Sequence, residues 1–131
     1  MSMNYAPPNA AAFTGLVDLA SADAGGAAVA CSDDAFAAMN HLVRSSAPVF
    51  DPQAYTDRGR LMDGWQGGRR HGRGHDWCIV KLGVAGTVRG VDIDTAHFQG
   101  DAAPFASVEA IHVPPDASVE ELRSDAQWTE I

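Results

Sequence analysis

Four short stretches gather the side chains that can move protons or hold anions. Asp57-Arg58-Gly59-Arg60 runs into Met62-Asp63-Gly64-Trp65, Arg69-Arg70-His71 follows, then Gly74-His75-Asp76-Trp77, and Asp92-Ile93-Asp94-Thr95-Ala96-His97-Phe98 comes last. Arginine offers a planar fork matched to a carboxylate, so the arginines among them suit a small anion. His75 stands at the mouth of an apolar run. Histidine titrates near neutrality and serves as acid or base, or it donates to a backbone carbonyl and steadies a turn. Asp92, Asp94 and His97 have the composition of a metal site, which leaves room for a divalent metal, although no cofactor is established. The alternative for Asp94 is to accept backbone N–H groups in the turn that follows. His71 and His75, four apart, would suit a metal on a helix, but Gly72 and Gly74 argue against a helix there. Trp65 and Trp77 read as core or pocket wall.

The charge distribution sharpens the anion reading. The chain carries a net charge of −8, which argues against a nucleic-acid partner. Yet seven of its nine cationic residues, Arg58, Arg60, Arg69, Arg70, Arg73, Lys81 and Arg89, lie between 58 and 89, against only Asp63 and Asp76. Either these are solvated arginines on a loop or they line a pocket. Nothing matches a serine or cysteine triad, a phosphate loop or a dinucleotide fingerprint.

Placing these residues requires a frame. Residues 1–14, rich in Pro, Ala and Asn, read as a flexible tail, and residues 15–131 as one domain with a real core. Leu16 to Ala20 reads as a short strand or turn, Gly25-Gly26 as a turn and Ala27 to Ala30 as a strand. Asp33 to Val43 shows near-helical apolar spacing, with Ser32 or Asp33 as cap. Residues 51–76, full of charge and glycine, read as a long shaped loop. Trp77 to Leu82 is a β-type run with both faces buried, Thr87 to Asp94 a second strand with Asp92 and Asp94 on one face, and Phe105 to Val113 a third. Pro114-Pro115 ends it, and Ser118 to Leu122 reads as one helical turn. Strands separated by glycine and proline turns predict an all-β sandwich.

With 46% hydrophobic and 20% charged residues, the composition is that of an ordinary soluble globular protein. No run reaches the ~18 apolar residues of a membrane span. The N-terminus lacks the basic start and apolar run of a signal peptide, so the expectation is a cytoplasmic protein without a membrane partner. Cys31 and Cys78 then read as two buried thiols rather than a disulfide.

At the reactive stretches the chain resembles the allantoicase family. The matching segments run in order: Asp18-Leu19-Ala20-Ser21 with Gly25-Gly26; Val49-Phe50-Asp51-Pro52; Thr56-Asp57-Arg58-Gly59; Met62-Asp63-Gly64-Trp65; Arg69-Arg70; Gly74-His75-Asp76-Trp77-Cys78-Ile79; Leu82-Gly83; and Gly90-Val91-Asp92-Ile93-Asp94-Thr95 with His97-Phe98 and Gly100. The resemblance implies a jelly-roll sandwich similar to galactose-binding and discoidin-like domains. It implies hydrolysis of allantoate, a small anion, to ureidoglycolate and urea in the allantoin branch of purine breakdown. On that footing Arg69, Arg70 and Arg58 are expected to grip the substrate carboxylate beside Trp65. His75 is expected as general acid and Asp94 or Asp63 as the carboxylate that activates water, with His97 nearby.

The chain departs from the family pattern in two ways. Gly64-Trp65-Gln66-Gly67-Gly68 stands where the family shows Gly-Trp-Glu-Thr, and Asp101 where it favours Asn. Family members are also tandems of two related domains, so the expectation is a sandwich incomplete at the C-terminus. Such a chain would form homo-oligomers or pair with a missing C-terminal half.

Overall fold

A computed structural model describes residues 12–56, 59–60, 62–68, 72–98, 100 and 102–131. Six strands occur among them: β1 (Ala27–Cys31), β2 (Tyr55–Thr56), β3 (Gly59–Arg60), β4 (Cys78–Lys81), β5 (Glu109–Ala110) and β6 (Thr129–Glu130). They pair antiparallel as β1–β4, β2–β3 and β5–β6. One α-helix, α1 (Val119–Ser124), and three 3-10 turns, Ala12–Gly15, Ala22–Ala24 and Met39–Val43, complete the regular structure. The chain separates into two compact units, residues 1–99 and 100–131.

In the first unit the β1–β4 ladder is the frame. Ala27 faces Lys81, Ala28 faces Val80, Ala30 faces Ile79 and Cys31 faces Cys78, with a bulge between Ala28 and Ala30. Beyond the last pair, the Ser32 N–H donates to the Trp77 carbonyl at 2.9 Å. The Ser32 hydroxyl accepts from the Trp77 N–H and donates to Asp76 Oδ1, both at 3.0 Å. It therefore ties off the ladder and is not a helix cap. The apolar run of β4 predicts this strand correctly, but its faces are half-buried: Cys78, Ile79 and Val80 are intermediate and Lys81 is exposed.

At the other end of the ladder, backbone meets backbone. Ser21 caps the Ala22–Ala24 turn through its hydroxyl, and Gly25, at φ 92°, closes it with a bond to the Ala22 carbonyl. Only glycine holds that conformation cheaply. The Gly83 N–H donates to the Leu19 carbonyl at 2.9 Å, and a Cβ on Gly83 would collide with the Ala24 carbonyl oxygen. Residues 16–20 thus form a turn, stitched by the Ala20 N–H to Asp18 Oδ1.

The apolar spacing of 33–43 resolves into a five-residue 3-10 turn. Asp33 is spent elsewhere, so the first N–H of the turn, that of Met39, is met from outside by Asp34 Oδ2 at 3.2 Å. The N-cap residue, Ala38, has no side-chain oxygen to offer. At five residues it runs slightly past the roughly three to four usual for a 3-10 piece. Val43 on this turn and Ala37 before it are the buried apolar side chains among the described residues.

Thr87 to Asp94 carries no strand among the described residues. Alternation assigns side chains to two faces but names no partner, and a strand exists only with a ladder. Val84, Val88, Val91 and Ile93 stand exposed, Val84 at 56% and Ile93 at 52%. This departs from the expected real core, because the short ladders set few side chains on a shared face.

In the second unit, the β-type run of 105–113 is realised only as β5, with Glu109 opposite Glu130 and Ala110 opposite Thr129. The Ile131 N–H adds a bond to the Val108 carbonyl at 3.0 Å. Helix α1 opens with a capping box. The Glu121 N–H donates to Ser118 Oγ at 3.1 Å, and the Ser118 N–H donates to Glu121 Oε2 at 3.2 Å. Reciprocal satisfaction of two orphan donors explains why so short a helix starts there. Trp128 Nε1–H closes its far end on the Leu122 carbonyl at 2.8 Å.

Candidate functional site

Asp63 is the polar hub of the first unit. Its Oδ1 accepts from Arg44 Nη1 at 2.6 Å and from His41 Nδ1 at 3.1 Å, and its Oδ2 accepts from the Val49 N–H at 2.9 Å. The Asp63 side chain is 15% exposed, against 24% for His41 and 47% for Arg44. Burial pushes the carboxyl upward. The Val49 N–H, His41 and Arg44 together outweigh it and hold Asp63 below the ordinary carboxylate range. A carboxylate so held does not donate a proton near neutrality, so Asp63 suits a base or an orienting group.

His41 and Arg44 escaped the reading of the sequence. Arg44 lies outside the cationic window, and His41 is on a turn whose apolar spacing drew attention to packing. A signal was present nonetheless: in a 3-10 turn, residues three apart eclipse, so 41 and 44 share one side and reach one carboxylate. Because that carboxylate only accepts, His41 Nδ1 carries the proton of this contact and Nε2 points away from it.

The loop leaving this turn brings in His97. Its Nε2 lies 3.3 Å from the Pro48 carbonyl, and its ring stacks on Phe50 with centroids 5.7 Å apart. His97 is the only non-glycine residue at positive φ, 69°, among those described. The Phe98 ring in turn packs against Gly64, where a Cβ would stand 2.6 Å from Cε2. The 45–50 loop thereby meets both Asp63 and His97.

The other candidates sit differently. Asp94 Oδ1 accepts the Ala96 N–H at 2.8 Å, which is the turn-stabilising alternative. His75 is exposed beside β4. Trp65 Nε1–H donates to the Asp33 carbonyl at 2.8 Å, anchoring its loop. Arg73, Lys81 and Arg89 are exposed. Arg58, Arg69, Arg70 and His71 lie outside the described residues, so the anion clamp and the His71/His75 pair do too. Among the described residues no three His, Cys, Asp or Glu side chains gather as a metal site would need. The triplet Asp92, Asp94 and His97 is therefore not assembled: Asp94 turns to its own backbone and His97 to Pro48.

The chain matches the family model described as "Allantoicase repeat" over residues 17–131. It is 43% identical to the probable allantoicase 1 of Burkholderia mallei over 132 aligned residues, covering all of this chain and 38% of that protein. It is 40% identical to the allantoicase of Dictyostelium discoideum, covering 95% of this chain and 34% of that one. Among solved structures, the Saccharomyces cerevisiae allantoicase superposes with a TM-score of 0.71 at 36% identity, over 88% of this chain and 33% of its own. A second allantoicase structure gives a TM-score of 0.74 at 35% identity. The chain thus spans little more than a third of the length of these relatives and shares their all-β fold over that span. It belongs to the allantoicase family.

Proposed function

We propose that this chain is one repeat of an allantoate-hydrolysing enzyme, cutting a C–N bond to give ureidoglycolate and urea within purine breakdown. Family membership over residues 17–131 carries the reading. The substrate carboxylate is gripped by Arg69 and Arg70 with Arg58, beside the wall formed by Trp65. His75, exposed at the head of β4, protonates the departing urea nitrogen, and Asp94 or Asp63 serves the attacking water. His97 borders the same loop system through Pro48 and Phe50. The Asp63–His41 contact adds a route the sequence did not suggest: the carboxylate fixes the ring, and His41 Nε2 takes the proton of water.

A cytoplasmic setting belongs to the same reading; separately, no described helix is long and apolar enough to cross a membrane. The deciding experiment is urea release from allantoate by the purified chain. Release lost in Arg70→Ala and His75→Ala supports the assignment, and release unaffected by both removes it.

A second reading has an observation of its own. Val84, Val88, Val91 and Ile93 are exposed, in a chain that spans 38% of a relative. In this reading the repeat is silent alone and pairs with a further allantoicase-type segment or another copy. Urea release that appears only on adding a separately made C-terminal portion of a family member supports it. Release by the isolated chain at undiminished rate opposes it.

A further inference from the structure

Cys31 and Cys78 are both free of disulfides and half-buried, and they are direct cross-strand partners at the end of the β1–β4 ladder. The neighbouring pair, Ser32 and Trp77, is a hydrogen-bonded one. Because the two kinds alternate along an antiparallel ladder, Cys31 and Cys78 form a non-hydrogen-bonded pair. Such pairs bring Cα atoms to about 4.5 Å with side chains on the same face. That spacing sits at the short end of the range a disulfide spans, about 4.4–6.8 Å. The bond can therefore close without moving either strand, and because both sulfurs are only half-buried it stays open to exchange with small thiols.

We propose that Cys31 and Cys78 are a reversible dithiol–disulfide couple that staples β1 to β4 next to His75, Asp76 and Trp77. The oxidant is a low-molecular-weight disulfide. One cysteine thiolate attacks it, forming a mixed disulfide and expelling one thiolate. The second cysteine attacks the protein sulfur of that intermediate, forming the Cys31–Cys78 bond and expelling the other. Two electrons pass to the small disulfide, and the two cysteine protons end on the two small thiols released.

The environment sets the rate. Burial, then the Cys31 sulfur, then Asp34 push the Cys78 thiol up to about 11. Burial and the carboxylates of Asp34, Asp33 and Asp76 raise Cys31 too, against one backbone hydrogen bond from Asp33. Few thiolates exist near neutrality, so closure is slow there and quickens about tenfold per pH unit while both groups stay mostly protonated. The couple is thus set apart from a low-pKa peroxide sensor.

The test equilibrates the full chain in oxidised and reduced glutathione, then quenches with acid, alkylates and measures mass. The expected product is about 2 Da lighter, as a disulfide requires, with the Cys31 and Cys78 peptides joined. Its effective concentration should be at least about tenfold higher in native buffer than in concentrated urea, because the ladder holds the sulfurs together. Cys31→Ser should take up a single glutathione and form no internal link. Equal effective concentrations in the two solvents would overturn the proposal. So would glutathione adducts or linked dimers in place of the internal bond.

Discussion

Arg44 donates to Asp63 across nineteen positions of sequence, at 2.6 Å, on the same oxygen that His41 reaches from one turn earlier. The carboxylate therefore organises three backbone segments: the 39–43 turn, the 45–50 loop and the approach to Trp65. Asp63→Asn keeps the shape but removes the charge. We expect it to lower stability by ~1–2 kcal/mol, as for charge-assisted bonds that are part-buried. Arg44→Ala should cost less, ~0.2–1 kcal/mol, because its guanidinium is half in water. Urea denaturation of both variants and of the double mutant checks this; strictly additive losses would show that the two do not interact.

The same carboxylate predicts an acid limit. Its folded value lies below the ordinary one, so the unfolded chain binds the proton more tightly. The stabilisation is then fully present above the unfolded value, near ~4, and is lost as pH falls through the folded value. Urea midpoints measured downward from pH 6 should fall below about pH 4, and Asp63→Asn should flatten part of that slope. Parallel acid slopes in the two proteins would contradict the assignment.

Gly83→Ala tests the backbone contact behind β4. The new methyl would meet the Ala24 carbonyl oxygen, and backbone yields less readily than a side-chain tip. A loss of ~1–3 kcal/mol is expected, typical of overpacking. Gly72→Ala, with nothing near its Cβ but a φ of 94°, should show a conformational cost of only about 1 kcal/mol. Thermal unfolding ranks the two.

Exposure makes His75 a clean probe of role. His75→Ala should leave stability within about 0.5 kcal/mol. If His75 is the proton donor, turnover in a form that releases urea should drop by roughly 10²–10⁴. Asp94→Asn is the contrast, since its Oδ1 already serves the Ala96 N–H and the amide oxygen preserves that bond. Unchanged turnover in Asp94→Asn would leave Asp94 as a turn residue.

Much of the frame was legible because its signals are local. The apolar runs marked β1 and β4, Gly25-Gly26 marked its turn, and the serine three residues before Glu121 began α1 where the reading put a helical turn. What was hidden depends on distant partners. Nothing in Thr87 to Asp94 states whether a ladder awaits it, and periodicity alone did not separate a 3-10 turn from an α-helix at 39–43. The family resemblance was legible through motif order. The hub at Asp63 was half visible: the carboxylate was a candidate, but Arg44 and His41 lie outside the cationic stretch of 58–89.

Asp33 fastens the loop before Arg69 at two points and its own turn at a third. Its Oδ1 accepts the Ala35 N–H, its Oδ2 the Gly68 N–H and its carbonyl the Trp65 indole. A Cβ at Gly67 would stand 2.8 Å from that carbonyl oxygen, and one at Gly68 would stand 3.0 Å from Oδ2. The two glycines and the aspartate are consequently one steric unit. A chain that swaps either glycine for a bulkier residue must also reshape position 33 or shorten the loop, and selection experiments should recover those changes together.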